Sequence, residues 1–432
     1  MPEYVKRAKE HNPADTRALT DTVRDILDDI RNRGDVAVQD YARKFDGWNG
    51  DFRVSDGAIR DVARQLPETF KDDFAVCLSN VQEFARRQRD SIGEFTAEIA
   101  PGVTLGQKLV PVGRAGCYIP GGKYPLIAAA AMSVGTARVA GVDHVIACAP
   151  PQAGTQAIYP QSLYALHASG ADEIYCIGGV QAMAAMAYGR IGMKPVDIIT
   201  GPGNAFVAEA KRQLFGTVGI DLPAGPTEIC VLADDTADPA LVATDLLGQA
   251  EHGPDSPAWL VTSSVAHGRA VLAEIERQLE TLPTAETARR SWSDHGEIVV
   301  AKSREEALEL TDAYAPEHLE IQTADDDWYL ERLRNYGSAF VGAEATVAYG
   351  DKGVGTNHTL PTGGAARYTG GLWVGKFIKT VTWQRLTREA SRKLAGPLGR
   401  ICREERLEGH AITCDERGIR YGRDNEPSEA TQ

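Results

Sequence analysis

The stretch EIYCIGGVQAMAAMAYGRIGMKPVDIITGPGN, residues 173–204, decides the fold. Glu173-Ile174-Tyr175-Cys176-Ile177 is short, apolar and β-prone. Gly178-Gly179 then opens a helix near 180–189. Val196-Asp197-Ile198-Ile199-Thr200 is a second such run, and Gly201-Pro202-Gly203-Asn204 leads into a helix near 205–215. Two strands joined through a helix by short connections run parallel, with helices covering the sheet. The same grammar starts at Val145-Ile146-Ala147-Cys148, followed by Pro150-Pro151 and a helix near 161–169. It repeats downstream in Glu228 to Ala233, Trp259 to Ser263, Glu297 to Ala301, Leu319 to Thr323 and Ala339 to Gly342, with helices centred near 245, 273, 307 and 331. The expected fold is α/β: two tandem Rossmann-like doubly wound units with helical N-terminal and C-terminal extensions.

Outward from this core, residues 13–45 carry Val23, Ile26, Leu27 and Ile30 at helical spacing, and 56–90 reads as further helix. Residues 343–372 are glycine-rich and read as a long active-site loop. From about 383 the chain becomes helical and charged, ending in a frayed polar tail, Asp424 to Gln432. The expected division is 1–114 as a helical segment, 115–227 as the first α/β unit, 228–382 as the second, and 383–432 as a C-terminal helical segment.

Bulk properties narrow the function. With 432 residues, two or more domains are the default, and 43% hydrophobic with 25% charged residues is ordinary for a globular protein. No run of about 18 apolar residues exists and the N-terminus is charged, so no membrane partner and a cytoplasmic location are expected. A net charge of −14 argues against nucleic acid, because phosphate contacts need a basic surface. Acidic runs such as Asp325-Asp326-Asp327 fit either adaptation to high salt or a mildly acidic cytoplasmic enzyme. The seven cysteines are scattered without a C-x-x-C pair, so neither a disulfide framework nor a thiolate zinc site is expected.

The chemistry centres on Gln249-Ala250-Glu251-His252. The helix before it begins at Asp238-Pro239 and stops at Gly253-Pro254. Gln249 and His252 are three apart and share a face. With Asp351 on a glycine-rich loop and His410 from a distant segment, they make four N/O donors without a thiolate. That is the ligand set of a working divalent-metal site rather than a structural staple. The bland reading is that Gln249 and His252 cap a helix end and Asp351 makes an Asx-turn. Glu317-His318 pairs an acid with an imidazole for proton transfer, and as neighbours at a strand start their side chains are expected to diverge. An imidazole near its ordinary 6.5 accepts a proton at pH 7. A full G-x-G-x-x-G fingerprint is missing. Gly201-Pro202-Gly203-Asn204 and Tyr118-Ile119-Pro120-Gly121-Gly122 nonetheless sit where a strand gives way to a helix, the place for a phosphate or ribose, or for a tight turn and nothing more.

Taken in order, several blocks resemble the histidinol dehydrogenase family over nearly the whole chain: ILDDIRNRGDVAVQDYARKFDG (26–47), GCYIPGG (116–122), GGVQAMAA (178–185), GPGNAFVAEAKR (201–212), PAGPTE (223–228), DLLGQAEHG (245–253), APEHL (315–319) and GTNHTLP (355–361). The resemblance implies one zinc per site and two NAD+ reduced as a primary alcohol becomes a carboxylate. It also implies a homodimer with shared active sites, in which 115–227 is the NAD-binding unit, 228–382 the catalytic and zinc unit on which 1–114 packs, and 383–432 the segment completing the partner subunit's site. Carried over, Gln249, His252, Asp351 and the partner-donated His410 are the zinc ligands, Glu317 and His318 the catalytic pair, and Tyr118, Gln181 and Asn204 the NAD contacts. Thr227, His358 and Glu405, with Gln249, His252, His318, Asp351 and His410, are the substrate contacts.

On this resemblance the expected substrate is L-histidinol, oxidised to L-histidine in histidine biosynthesis. The chain departs from the histidinol-oxidising pattern at Thr227, at Lys123 to Ile127 and at Ala366 to Phe377. There it resembles a sister branch, sulfopropanediol 3-dehydrogenase, acting on a small anionic diol. Arg367 or Lys123 would then meet the sulfonate, whereas Glu405 suits a cationic substrate. A non-catalytic ligand-binding relative is the alternative of a different class.

Overall fold

Alternate residues of single strands feed opposite cores. Ile229, Val231 and Ala233 pack into one apolar cluster with Val242, Leu246, Val271 and Trp292. Cys230 and Leu232 pack into another with Leu319, Ile321 and Tyr329. A strand buried on both faces has no polar side to show, which is why these runs lack alternation in the sequence. The structure is a computed structural model describing residues 3–9, 14–121 and 124–423.

Two compact units emerge. The first comprises residues 1–89 and 111–377 and holds both large sheets; the second comprises 90–110 and 378–432. The first unit's five-stranded sheet runs Glu173–Cys176, His144–Ala149, Arg114–Tyr118, Ile198–Thr200, Gly219–Ile220, all parallel. Its six-stranded sheet runs Glu3–Lys6, Glu297–Val300, Ala258–Thr262, Ile229–Ala233, His318–Gln322, Ser338–Val341. Only the edge strand Glu3–Lys6 is antiparallel. In both sheets the earliest strand after that edge lies in the middle and the order reverses beside it. The expected α/β class holds.

The helices follow their sequence signals closely. Asp238 accepts a hydrogen bond from Ala240 N–H at the head of Pro239–Ala250. Gly34, at φ 64°, splits the expected first helix into Ala14–Arg33 and Asp35–Asp46. The glycine-rich stretch after 343 is mostly loop, as expected, but carries the short helix Val347–Lys352.

The second unit holds what the sequence reading passed over. Phe95–Ala100 pairs antiparallel with Val103–Pro111, and Ile378–Leu386 completes a three-stranded sheet. Helices Arg388–Glu404 and Glu408–Arg423 follow. The C-terminal extension is therefore strand before helix, not helix alone. The tail Asp424 to Gln432 and the pair Gly122 and Lys123 lie outside the described residues.

Candidate active site

In the five-stranded sheet, the order reverses between Arg114–Tyr118 and Ile198–Thr200, and the loops leaving their C-terminal ends face one another. Ligands of open α/β sheets bind at such reversals. Gly201 has φ 116°, and a Cβ there would stand 2.0 Å from the Tyr118 carbonyl oxygen, so only glycine fits. The turn is clamped from below: Asp221 accepts from Gly201 N–H at 2.8 Å, and Lys211 Nζ, paired with Asp221, donates to Gly201 O at 2.9 Å. Asn204 Oδ1 caps the next helix, accepting from Phe206 and Val207 N–H at 3.1 Å each. Tyr118 Oη accepts from Gly179 N–H at 3.3 Å, and Gln181 Nε2 donates to Asp46 Oδ2 at 2.9 Å. Burial raises the Asp46 carboxyl above its ordinary range. Tyr118, Gln181, Asn204 and Asp46 all line one cleft of about 930 Å³.

The same cleft reaches the six-stranded sheet at the opposite edge, the N-terminal ends of its strands. Thr227 and Glu228 precede Ile229–Ala233, and Glu317 precedes His318–Gln322. The helix Pro239–Ala250 runs back to that edge and delivers Gln249, with His252 just beyond. Glu317 Oε2 accepts from Thr227 Oγ1 at 2.5 Å and from Glu228 N–H at 2.9 Å. Gln249 Nε2 donates to Thr227 Oγ1 and lies 3.3 Å from His318 Nδ1. Thr227, expected as a substrate contact, lines the cleft but also ties Gln249 to Glu317.

Two expectations change here. Glu317 and His318 do not diverge: His318 Nδ1 lies 3.4 Å from Glu317 Oε2, because Glu317 stands before the strand where strict alternation has not begun. Nor does His318 keep its ordinary 6.5. Burial opposes its charge, but Glu317 first and then Asp351 raise it to about 9. Its Nδ1 is 3.0 Å from the Glu228 carbonyl, which fixes Nδ1–H as the donor. Nε2 is left buried without a hydrogen-bond partner, 3.9 Å from Asp351 Oδ1.

Asp351 and Lys352 close the short helix Val347–Lys352. His358 Nδ1 is 3.0 Å from the Asp351 carbonyl oxygen, and its Nε2 is also buried and unpartnered. Burial lowers both His252 and His358, so each is a neutral imidazole at pH 7. Burial opposes charge on Asp351, yet His358, His318, Lys352 and His252 together hold its carboxyl below its usual range.

Neutral imidazole and ionised carboxylate are the protonation states that bind zinc. His252 and Asp351 line the same cleft in those states, so the donor types present suit a borderline divalent cation. Among the described residues no group of three or more His, Cys, Asp or Glu side chains is placed to hold a metal ion. His410 and Glu405 both lie in the second unit and are exposed there.

Sequence reasoning overlooked Glu228, Asp46 and Lys352. The tie from the Glu228 carbonyl to His318 has no side-chain signature. Asp46 and Lys352 are single charges inside stretches singled out for other reasons.

The sequence model of the family described as histidinol dehydrogenase matches residues 9–418. The chain is 49% identical to a histidinol dehydrogenase homolog of Shouchella clausii, covering 98% of this chain and 100% of that one. It is 48% identical to the sulfopropanediol 3-dehydrogenase of Ruegeria pomeroyi, covering 97% of each. Identity to the histidinol dehydrogenase of Methanothermobacter thermautotrophicus is 40%, covering 95% of each. The crystal structure of histidinol dehydrogenase from Elizabethkingia anophelis superimposes with a TM-score of 0.86 at 33% identity, covering 96% of this chain and 94% of that one.

Proposed function

This chain belongs to the histidinol dehydrogenase family, and from that premise we propose that it is a zinc- and NAD-dependent dehydrogenase oxidising a primary alcohol to a carboxylate. The observation that carries the reading is His318 Nε2. It is a basic nitrogen buried without a partner, in a cleft that also holds Glu317, Asp351 and the Gly201–Asn204 turn.

The mechanism follows from these groups. His318, anchored through Nδ1–H to the Glu228 carbonyl, takes the hydroxyl proton on Nε2 as the alcohol becomes an aldehyde. Glu317, oriented by Thr227 and the Glu228 N–H, draws a proton from the water that adds to the aldehyde carbon, while His318 returns its proton to the aldehyde oxygen and is again free as a base. The resulting gem-diol loses its second hydride and proton in the same way, giving the acid. Bound NAD+, contacting Tyr118, Gln181 and Asn204, would accept one hydride in each oxidation. A zinc ion held by Gln249, His252, Asp351 and a partner's His410 would polarise the hydroxyl oxygen and offset the Asp351 charge, the smaller of the two that raise His318. In the same reading, His358 and Glu405 contact the substrate.

Two substrates fit the family: L-histidinol and 2,3-dihydroxypropane-1-sulfonate. The identity of 48% to a sulfopropanediol 3-dehydrogenase, against 40% to a histidinol dehydrogenase, favours the sulfonated diol. The proposal includes two Rossmann-like units with the segment roles given above, a homodimer and a cytoplasmic location. No described helix is long and apolar enough to cross a membrane. The deciding assay is NADH formation with each alcohol, with and without a chelator. Two NADH per acid, lost with chelator and restored by zinc, is the expected result. No NADH from any alcohol would reduce the chain to a ligand-binding relative.

A further inference from the structure

We propose that Lys352 selects the substrate: its ammonium binds a compact anionic end of a small alcohol whose hydroxymethyl end lies against His318. This rests on the dehydrogenase reading above and adds the residue and the charge class to it.

The cleft is lined by carboxylates at Asp46, Asp255, Glu317 and Asp351, and Lys352 is the only Lys or Arg among its described lining residues. Left to themselves, four acids would attract a cationic alcohol; one cation beside the reacting groups gives an anion its place. Arg367, the cation expected to meet a sulfonate, does not fill this role. It donates to the Ala313 and Gly364 carbonyls and is not among the described residues lining the cleft. Lys123 lies outside the described residues.

Backbone geometry holds Lys352 in place while leaving its side chain available. Gly353, at φ 120°, would place a Cβ 2.6 Å from the Cys77 side chain, so the turn after Lys352 is pressed against the helix Glu68–Asp90. Asn80 Nδ2 of that helix donates to Gly353 O at 2.9 Å. The Lys352 side chain remains 63% exposed, and its Nζ is 3.6 Å from Asp351 Oδ2, beyond a good hydrogen bond. The ammonium therefore keeps donors for a ligand. One carboxylate separates this cation from His318 Nε2, itself 3.9 Å from Asp351 Oδ1. The two groups are roughly 10 Å apart at most, a span that a three-carbon alcohol with a terminal oxyanion fills with a hydrogen bond at each end.

The test compares 2,3-dihydroxypropane-1-sulfonate, glycerol and L-histidinol on the full-length protein, wild type and Lys352→Ala, Lys352→Arg and Lys123→Ala. Both NADH formation and ligand-induced thermal stabilisation are read. Lys352→Ala should weaken the sulfonated diol roughly 10- to 100-fold more than it weakens glycerol, the range for losing a charge-assisted contact. Lys352→Arg should restore most of the loss. The inference is overturned if Lys352→Ala shifts both diols by one factor, if Lys123→Ala alone abolishes the preference, or if wild type favours histidinol. If no alcohol yields NADH while Lys352-dependent binding of the sulfonated diol persists, the dehydrogenase reading fails and the anion site stands.

Discussion

Glu317 receives two hydrogen bonds on one carboxylate oxygen, from Thr227 and from the Glu228 N–H. Glutamine can accept both through its carbonyl, so Glu317→Gln preserves the local fold and removes only the charge. If the carboxylate activates water, acid formation from the aldehyde should fall roughly 10²-fold or more, while a single turnover from alcohol still yields its first NADH. Aldehyde trapping in rapid quench measures the split, and undiminished acid formation would remove Glu317 from the hydration step. Its neighbour Glu228 makes a separate, thermodynamic prediction. Burial, and then the charge on Glu317, push the Glu228 carboxyl from 4.5 to about 7. The folded chain thus holds that proton more tightly than the unfolded one. The stability this contributes is complete below about pH 4.5 and is lost as pH rises through 7. Glu228→Gln has no proton to lose. Its stability relative to wild type should therefore rise by roughly 3 kcal/mol between pH 4.5 and pH 8 in denaturant titrations, the free-energy equivalent of that shift. Parallel pH profiles would contradict it. Neither Glu228 property was legible in the sequence, since both arise from what a fold brings against one carboxylate.

Strands and helices were the most legible level, for a physical reason. Ile229 to Ala233 and Ile198 to Thr200 are buried on both faces, so each is a short apolar run bounded by turn residues, whereas the equally buried His318 to Gln322 alternates polar with apolar side chains. Phe95–Ala100 was missed because all six of its residues are exposed in this chain and only Thr96 and Glu98 break up its short apolar content. The Gly201–Asn204 turn was visible as a pattern but not in its function. A cofactor contact and a bare tight turn need the same glycine, and only the cleft beside it favours the former. Gly201→Ala tests the turn as an element. The added Cβ meets the Tyr118 carbonyl at 2.0 Å, backbone against backbone, so the loop itself must move. Loss of roughly 2–3 kcal/mol of stability is expected, with NAD+ affinity reduced tenfold or more and the alcohol KM changed far less. Equal effects on both ligands would mean that the turn serves folding alone.

At the scale of the molecule, one end of the site was readable and the other was not. Gln249, His252, Asp351, Glu317, His318, Thr227 and His358 come from segments scattered between residues 227 and 358, and the structure gathers them at one edge of one sheet. The strand start read for Glu317-His318 already pointed to an N-terminal edge, against the usual rule that ligands lie at C-terminal ends, but nothing in the spacing of the other residues showed that they gather there. His410 and Glu405 belong to the second unit, and their proposed work is done for another copy of the chain. A two-fold dimer makes that arrangement testable without any structure. His252→Ala and His410→Ala homodimers should each be inactive, because every site lacks one proposed ligand. Unfolded together in equal amounts and refolded, the two variants form mixed dimers in half the cases. In each mixed dimer one site carries both lesions and the other carries none. If His410 crosses the interface, the mixture should recover about a quarter of wild-type activity. If His410 serves its own chain, every site in every dimer retains one lesion and the mixture stays as inactive as its parents.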